Sequence, residues 1–243
     1  MPDGSRLADR RVLITGASRG LGREIAAAVG AEGAACALLM REAPDPPPTG
    51  TTVVRADVAD AGAVAAAVAE AAEKLGGLDG VVCAAAVDCA WAPTGEMQLA
   101  EWDRTIAVNL SGTFYVCRAA LPHLVAAAGG AIVNVTSVAG FRAWPEDVAY
   151  NASKAGVELL TRTIAVEYGK HGVRANCLAP GVIDAGMTDA ITQPEERARL
   201  VAQHPLGRLG RADEVAESVV WLLSGASAFV TGTTLVVDGG FLA

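Results

Sequence analysis

A phenol and an ammonium four residues apart share one face of a helix in Tyr150-Asn151-Ala152-Ser153-Lys154. Tyrosine ordinarily titrates near 10 and is a poor acid or base at neutral pH, but a cation within roughly 4–6 Å favours the phenolate and lowers that value. The spacing therefore predicts a proton-transfer pair in which Lys154 tunes Tyr150. The chain holds three tyrosines, and a chance Tyr-x-x-x-Lys is expected only about 0.04 times, so the motif reads as more than an accident. Locally, the same residues also suit a buried tyrosine beside a surface lysine, and the elements around them must decide.

Thirteen residues before Tyr150, the apolar run 131–136 (AIVNVT) reads as a strand that delivers Ser137 to its C-terminal end, the edge where open α/β sheets hold ligands. No G-x-S-x-G elbow surrounds Ser137 and no Asp/His pattern completes a triad, so a hydrolase nucleophile is disfavoured. Asn109 falls inside the helical stretch 101–128, which Gly112 and Pro122 interrupt. Asparagine is a poor filler for a helix interior; its side chain either bonds back to its own helix or serves something outside it.

Upstream, the strand Arg11–Thr15 runs into Gly16-Ala17-Ser18-Arg19-Gly20-Leu21-Gly22 and then the amphipathic segment 23–31. This order is strand, glycine turn, helix. The glycines allow a tight turn and close backbone approach, and the free N–H groups opening the helix suit a pyrophosphate. The spacing is G-x-x-x-G-x-G rather than G-x-G-x-x-G. A second strand, Ala35–Met40, ends roughly 20 residues later, where an acid would meet the 2′-hydroxyl of an adenosine ribose. Met40 and Arg41 stand there instead, and Arg19 lies in the glycine loop. Arg19 beside a positive helix N-terminus calls for an anion. A 2′-phosphate supplies one, so the residues predict NADPH over NADH.

Further strands are predicted at Thr52–Arg55, with Asp57 and Val58 just beyond it, and at 80–84, 173–178 (ending at Pro180-Gly181) and Thr234–Val237. Helices are predicted over 60–75 and 211–223. Four prolines close together in 44–50 (PDPPPTG) trim the crossover after the second strand. Strands apolar on both faces, alternating with helices, imply an α/β fold: a doubly wound parallel sheet of about seven strands, covered on both faces, in a single domain. The mixed segment 182–209, with Pro194 and Pro205, is predicted to be a helical substrate lid.

At 243 residues and 52% hydrophobic content the chain can bury one large core. A formal charge of -8 argues against nucleic acid as a partner. Without an apolar run of about 18 residues, and with a polar start, the expectation is a soluble, cytoplasmic protein with no membrane partner. Its five scattered cysteines suggest reduced core residues, and three isolated histidines give no metal site.

Taken in order, Gly16-x-x-x-Gly20-x-Gly22, Asn109, Ser137, Tyr150-x-x-x-Lys154 and Pro180-Gly181 resemble the short-chain dehydrogenase/reductase family over nearly the whole chain. The likeness is greatest to the single-domain branch that includes 3-oxoacyl carrier protein reductases. It implies a Rossmann fold and a nicotinamide hydride carrier acting on a ketone or secondary alcohol. It also implies Tyr150 as general acid or base, Lys154 on the nicotinamide ribose, Ser137 on the carbonyl oxygen, and Asn109 holding a water of a proton relay. The cofactor would meet Gly16, Ser18, Arg19, Gly20, Leu21, Gly22, Arg41, Asp57, Val58, Ala84, Tyr150, Lys154, Pro180, Gly181 and Ile183. Val87, Trp91, Phe141, Trp144, Val182 and Met187 would line a mostly apolar substrate pocket. A homotetramer or homodimer is implied as well.

Two positions depart from the family pattern. Cys83-Ala84-Ala85-Ala86 replaces the usual Asn-Asn-Ala-Gly, and Ala185 stands where a threonine is frequent, with Thr188 three residues on. These departures motivate an alternative: a cofactor-binding scaffold or regulatory protein of this fold with impaired catalysis.

Overall fold

In the computed structural model, residues 5–42, 50–185 and 193–243 are described. Most of the proline segment 44–50, Met187 and Thr188 lie outside them.

The apolar runs form seven strands: β1 (Arg11–Thr15), β2 (Ala35–Met40), β3 (Thr52–Arg55), β4 (Gly80–Cys83), β5 (Gly130–Val135), β6 (Val173–Pro180) and β7 (Thr234–Val237). They make one parallel sheet in the order β3-β2-β1-β4-β5-β6-β7. The order reverses between β1 and β4, and such a switch opens a crevice at the strands' C-terminal ends. Central strands are buried on both faces, as in VLI of β1 and VVC of β4. Helices α1 (Gly20–Ala31) and α7 (Ala212–Leu223) pack on each other over one face, while α2 (Ala61–Leu75), α4 (Gly112–Ala126) and α5 (Val148–Tyr168) cover the other. A short α3 (Leu99–Ile106) precedes α4, and α6 (Pro194–Ala202) carries Pro194 in its first turn. Among the described residues, α6 is the helical part of 182–209.

The predicted helix 101–128 is not continuous. A π-helical turn at Ala107–Ser111 separates α3 from α4. There Asn109 is 1% exposed, and the Thr113 hydroxyl donates to its carbonyl at 2.8 Å. Such turns inside helices widen the spiral and turn a side chain out of register.

Two glycines of the loop after β1 are fixed by packing. A Cβ on Gly16, whose φ is +74°, would sit 2.6 Å from the Ala85 amide nitrogen, and a Cβ on Gly22 would sit 2.3 Å from the Gly16 carbonyl oxygen. Both neighbours are backbone and cannot swing aside. Gly22→Ala is therefore expected to cost about 1–3 kcal/mol, lowering the melting temperature by roughly 2–12 °C at 2–4 °C per kcal/mol, as calorimetry of the cofactor-free protein would show.

Candidate active site

A cleft of about 960 Å³ opens along the C-terminal edge of the sheet. At one end it is walled by Gly16, Ser18, Arg19, Gly20, Leu21 and Gly22, by Arg41 after β2, and by Asp57 and Val58 after β3. The α1 N-cap is Arg19, whose side chain makes no capping bond, and no acid occupies the first turn, so the amides of that turn face the cleft without a side-chain acceptor. That cradle fits a dinucleotide phosphate. Among the described residues neither Arg19 nor Arg41 forms an ion pair.

The Cys83–Ala86 departure is accommodated by β1. The Thr15 hydroxyl accepts from the amides of Ala84 and Ala85, at 3.1 Å each, tying the loop after β4 to the glycine turn. Cys83 fills core space, its sulfur 4.0 Å from that of Cys117. All five cysteines are buried free thiols.

At the cleft's centre β5 and α5 bring three side chains together. Ser137, just beyond β5, accepts from the Ala139 amide at 3.1 Å and hydrogen-bonds the Tyr150 phenol. Lys154 is 4% exposed; its Nζ lies 5.3 Å from the Tyr150 ring centroid and donates to the Val135 carbonyl at 3.0 Å. Behind them, Asn109 does not bond back to its own helix. Its Oδ1 accepts from the Val87 amide at 2.8 Å, and its Nδ2 donates to the Val87 carbonyl at 2.9 Å and the Ser153 hydroxyl at 3.2 Å. Ser153 in turn donates to the Tyr150 carbonyl at 2.8 Å. The π-turn thereby fastens the loop after β4 to the first turn of α5.

The electrostatics reverse one expectation. Lys154 does not pull the Tyr150 phenol down; burial pushes that phenol up, opposed by the Ser137 hydrogen bond and reinforced by Asp88 and Asp147. The reason lies in Lys154 itself. Burial lowers the ammonium to about 8, although Cys177 and Glu158 oppose this, so the lysine loses its charge before the phenol ionises. Glu158, one helical turn beyond Lys154, is buried with its Oε1 unpartnered and its other oxygen bonded by Thr234. Without cofactor, Tyr150 is thus a held proton donor beside a cation whose charge is easily lost.

Val87, Trp91, Trp144 and Val182 line the other end of the cleft; Phe141 does not. Phe141 is 47% exposed, because the 3-10 turn at Val138–Gly140 carries it away from the cleft wall. Phe241 takes its place, stacked on Trp144 at 5.5 Å. Pro180, Gly181, Ile183, Ala84 and Ala185 also face the cleft. The lining is less apolar than expected, since Asp88, Arg142, Asp147, Glu196, Arg199 and Gln203 reach it too. Burial raises the Asp147 carboxyl to about 6, and the Cys89 thiol donates to it at 2.9 Å. These polar residues come from loops and from α6, far apart in the chain, and no motif marks them.

The family model described as enoyl-(acyl carrier protein) reductase matches residues 16–242. The chain belongs to the short-chain dehydrogenase/reductase family. Among its relatives, cis-4-hydroxycyclohexanecarboxylate dehydrogenase of Sinomonas cyclohexanicum is 38% identical over 99% of each chain. A 2-dehydro-3-deoxy-L-rhamnonate dehydrogenase (NAD(+)) of Sphingomonas sp. (strain SKA58) is 36% identical over 97% of this chain and 96% of its own. The crystal structure of a gluconate 5-dehydrogenase from Burkholderia cenocepacia J2315, in complex with NADP and tartrate, superposes with a TM-score of 0.93 at 33% identity, covering 98% of this chain and 96% of that one. This short-chain dehydrogenase/reductase is accordingly an oxidoreductase of the CH–OH/C=O class that uses a nicotinamide cofactor on a small-molecule substrate. Among its described residues no helix is long and apolar enough to cross a membrane.

Proposed function

We propose that this enzyme is an NADPH-dependent reductase of ketones, working in reverse on secondary alcohols, with Tyr150 as general acid and base. The observation that carries the reading is the meeting of the Ser137 hydroxyl, the Tyr150 phenol and the Lys154 ammonium in the same cleft as the glycine cradle. When bound, the nicotinamide supplies or accepts the hydride. Ser137 donates a hydrogen bond to the carbonyl oxygen as negative charge grows there, and Tyr150 delivers the proton. Lys154 contacts the nicotinamide ribose and supplies positive charge beside the phenol. Asn109 acts from behind, holding the water that links Lys154 to solvent. A panel of ketones with NADPH, followed by absorbance loss of the reduced cofactor, tests this. Turnover of at least one class is expected, and binding of NADPH with no turnover across the panel would favour the impaired scaffold instead.

Preference for NADPH rests on Arg19 and Arg41, which line the cradle without acid partners among the described residues. Guanidinium–phosphate bonds are charge-assisted and worth roughly 1.5–3 kcal/mol each. Arg19→Ala and Arg41→Ala are each expected to lower kcat/KM for NADPH by about 10- to 100-fold while that for NADH changes far less. Equal kcat/KM for the two cofactors in the unaltered enzyme would overturn the preference.

Exposed apolar side chains on α4 and α5 (Phe114, Leu159, Val166) and the fully exposed Phe229 near β7 support assembly into a homotetramer through those faces. Sedimentation velocity should give four chains. Five buried free thiols suit a reducing, cytoplasmic setting.

A further inference from the structure

At the end of the cleft remote from the glycine cradle, two more arginines line the wall, exposed to solvent and without an acid partner among the described residues. Arg142 follows the turn after β5, and Arg199 lies on α6. Arg197, on the same helix as Arg199, pairs instead with Asp184. The Arg142 guanidinium lies 4.7 Å over the Phe241 ring, which is itself stacked on Trp144. A guanidinium resting over an aromatic ring spends none of its N–H donors in that contact, so they stay available to a carboxylate. The same Phe241 ring touches His204 at 5.1 Å, and the His204 Nδ1 lies 2.7 Å from the Leu200 carbonyl, next to Arg199. One aromatic hub thus connects both arginine-bearing elements.

The acids of this mouth do not neutralise them. Asp88 and Asp147 cluster with Cys89, and Asp147 accepts from that thiol. Glu196, one turn before Arg199 on the same helix, makes no ion pair with it.

Resting on the carbonyl-reductase reading above, we propose that Arg142 and Arg199 form an anion-binding subsite for a carboxylate carried by the substrate at the end remote from its reacting carbonyl. The substrate class is then an oxo or hydroxy organic acid rather than a neutral ketone. The subsite orients the chain or ring so that the carbonyl meets Ser137 and Tyr150.

The test compares matched acids and methyl esters, 4-oxopentanoate and 4-oxocyclohexanecarboxylate, as substrates of the NADPH-loaded enzyme. At least one acid should exceed its ester about tenfold in kcat/KM. Arg142→Gln and Arg199→Gln should each bring the acid-to-ester ratio towards one, and Arg142→Lys should restore part of it. The ratio should also fall with added salt. An ester turned over as well as its acid, or a ratio unmoved by the arginine variants, overturns the subsite and leaves the carbonyl-reductase reading standing. If neither member of a pair is turned over, that reading is what suffers. The subsite is then judged by thermal shift with 4-oxopentanoate against 4-oxopentanamide: stabilisation by the acid alone, lost in both glutamine variants, supports it, and equal or absent stabilisation overturns it.

Discussion

Tyr150→Phe is expected to lower kcat by about 10²- to 10⁴-fold, the range over which a positioned proton donor contributes. Phenylalanine keeps the ring against Lys154 and removes only the oxygen that meets Ser137. Cofactor affinity and melting temperature should therefore stay close to those of the unaltered protein, placing the loss in the chemical step. Steady-state kinetics with NADPH titration separates the two. If Tyr150→Phe retained full kcat, the phenol would not be the acid, and Ser137 or solvent would have to deliver the proton.

Lys154→Met should show activity and stability moving in opposite directions. The ammonium is 4% exposed and titrates near 8 rather than at its ordinary 10.5. The fold thus binds this proton less tightly than the unfolded chain, so the charged lysine destabilises the protein fully below about pH 8. That penalty fades as pH rises from 8 towards 10.5. Its size is about 3 kcal/mol below pH 8, partly offset by the hydrogen bond to Val135, worth roughly 1–1.5 kcal/mol. Methionine at this position is accordingly expected to raise the melting temperature at pH 7 by about 3–8 °C, and the gain should shrink above pH 9. Activity should fall by a factor of at least 10², since the cation and its cofactor contact are both lost. Calorimetry at pH 7 and pH 10 checks the sign. A melting temperature lowered by Lys154→Met at pH 7 would show that the buried charge is fully compensated by its surroundings, Glu158 among them.

Much of the architecture follows from local pattern. The bounds of β1, β2, β3 and β7 match the runs that predict them; β1 and β2 are covered on both faces, while the edge strands β3 and β7 are marked by their β-branched residues. The glycine turn is legible for a related reason: Gly16 and Gly22 are places where backbone meets backbone. What the sequence does not carry is spatial. The π-turn at Ala107–Ser111 depends on the carbonyl of Asn109 finding the Thr113 hydroxyl while its side chain reaches Val87, a choice made by tertiary contacts rather than helix propensity. Phe141 and Phe241 have equal claim to a pocket by residue type, and only the path of the chain brings the second to Trp144. Spacing predicts that Lys154 stands beside Tyr150, yet the direction in which the phenol shifts depends on how deeply both are buried.

The most direct test follows the hydride itself. NADPH deuterated at C4 of the nicotinamide, on the transferred face, is incubated with the enzyme and the oxo acids and ketones above, and the alcohols are examined by mass spectrometry and NMR. Deuterium at the carbinol carbon is expected with the unaltered enzyme, and essentially none over the same interval with Tyr150→Phe. Alcohol without deuterium from either C4-labelled face, or equal deuterated product from the two proteins, would contradict hydride transfer assisted by Tyr150.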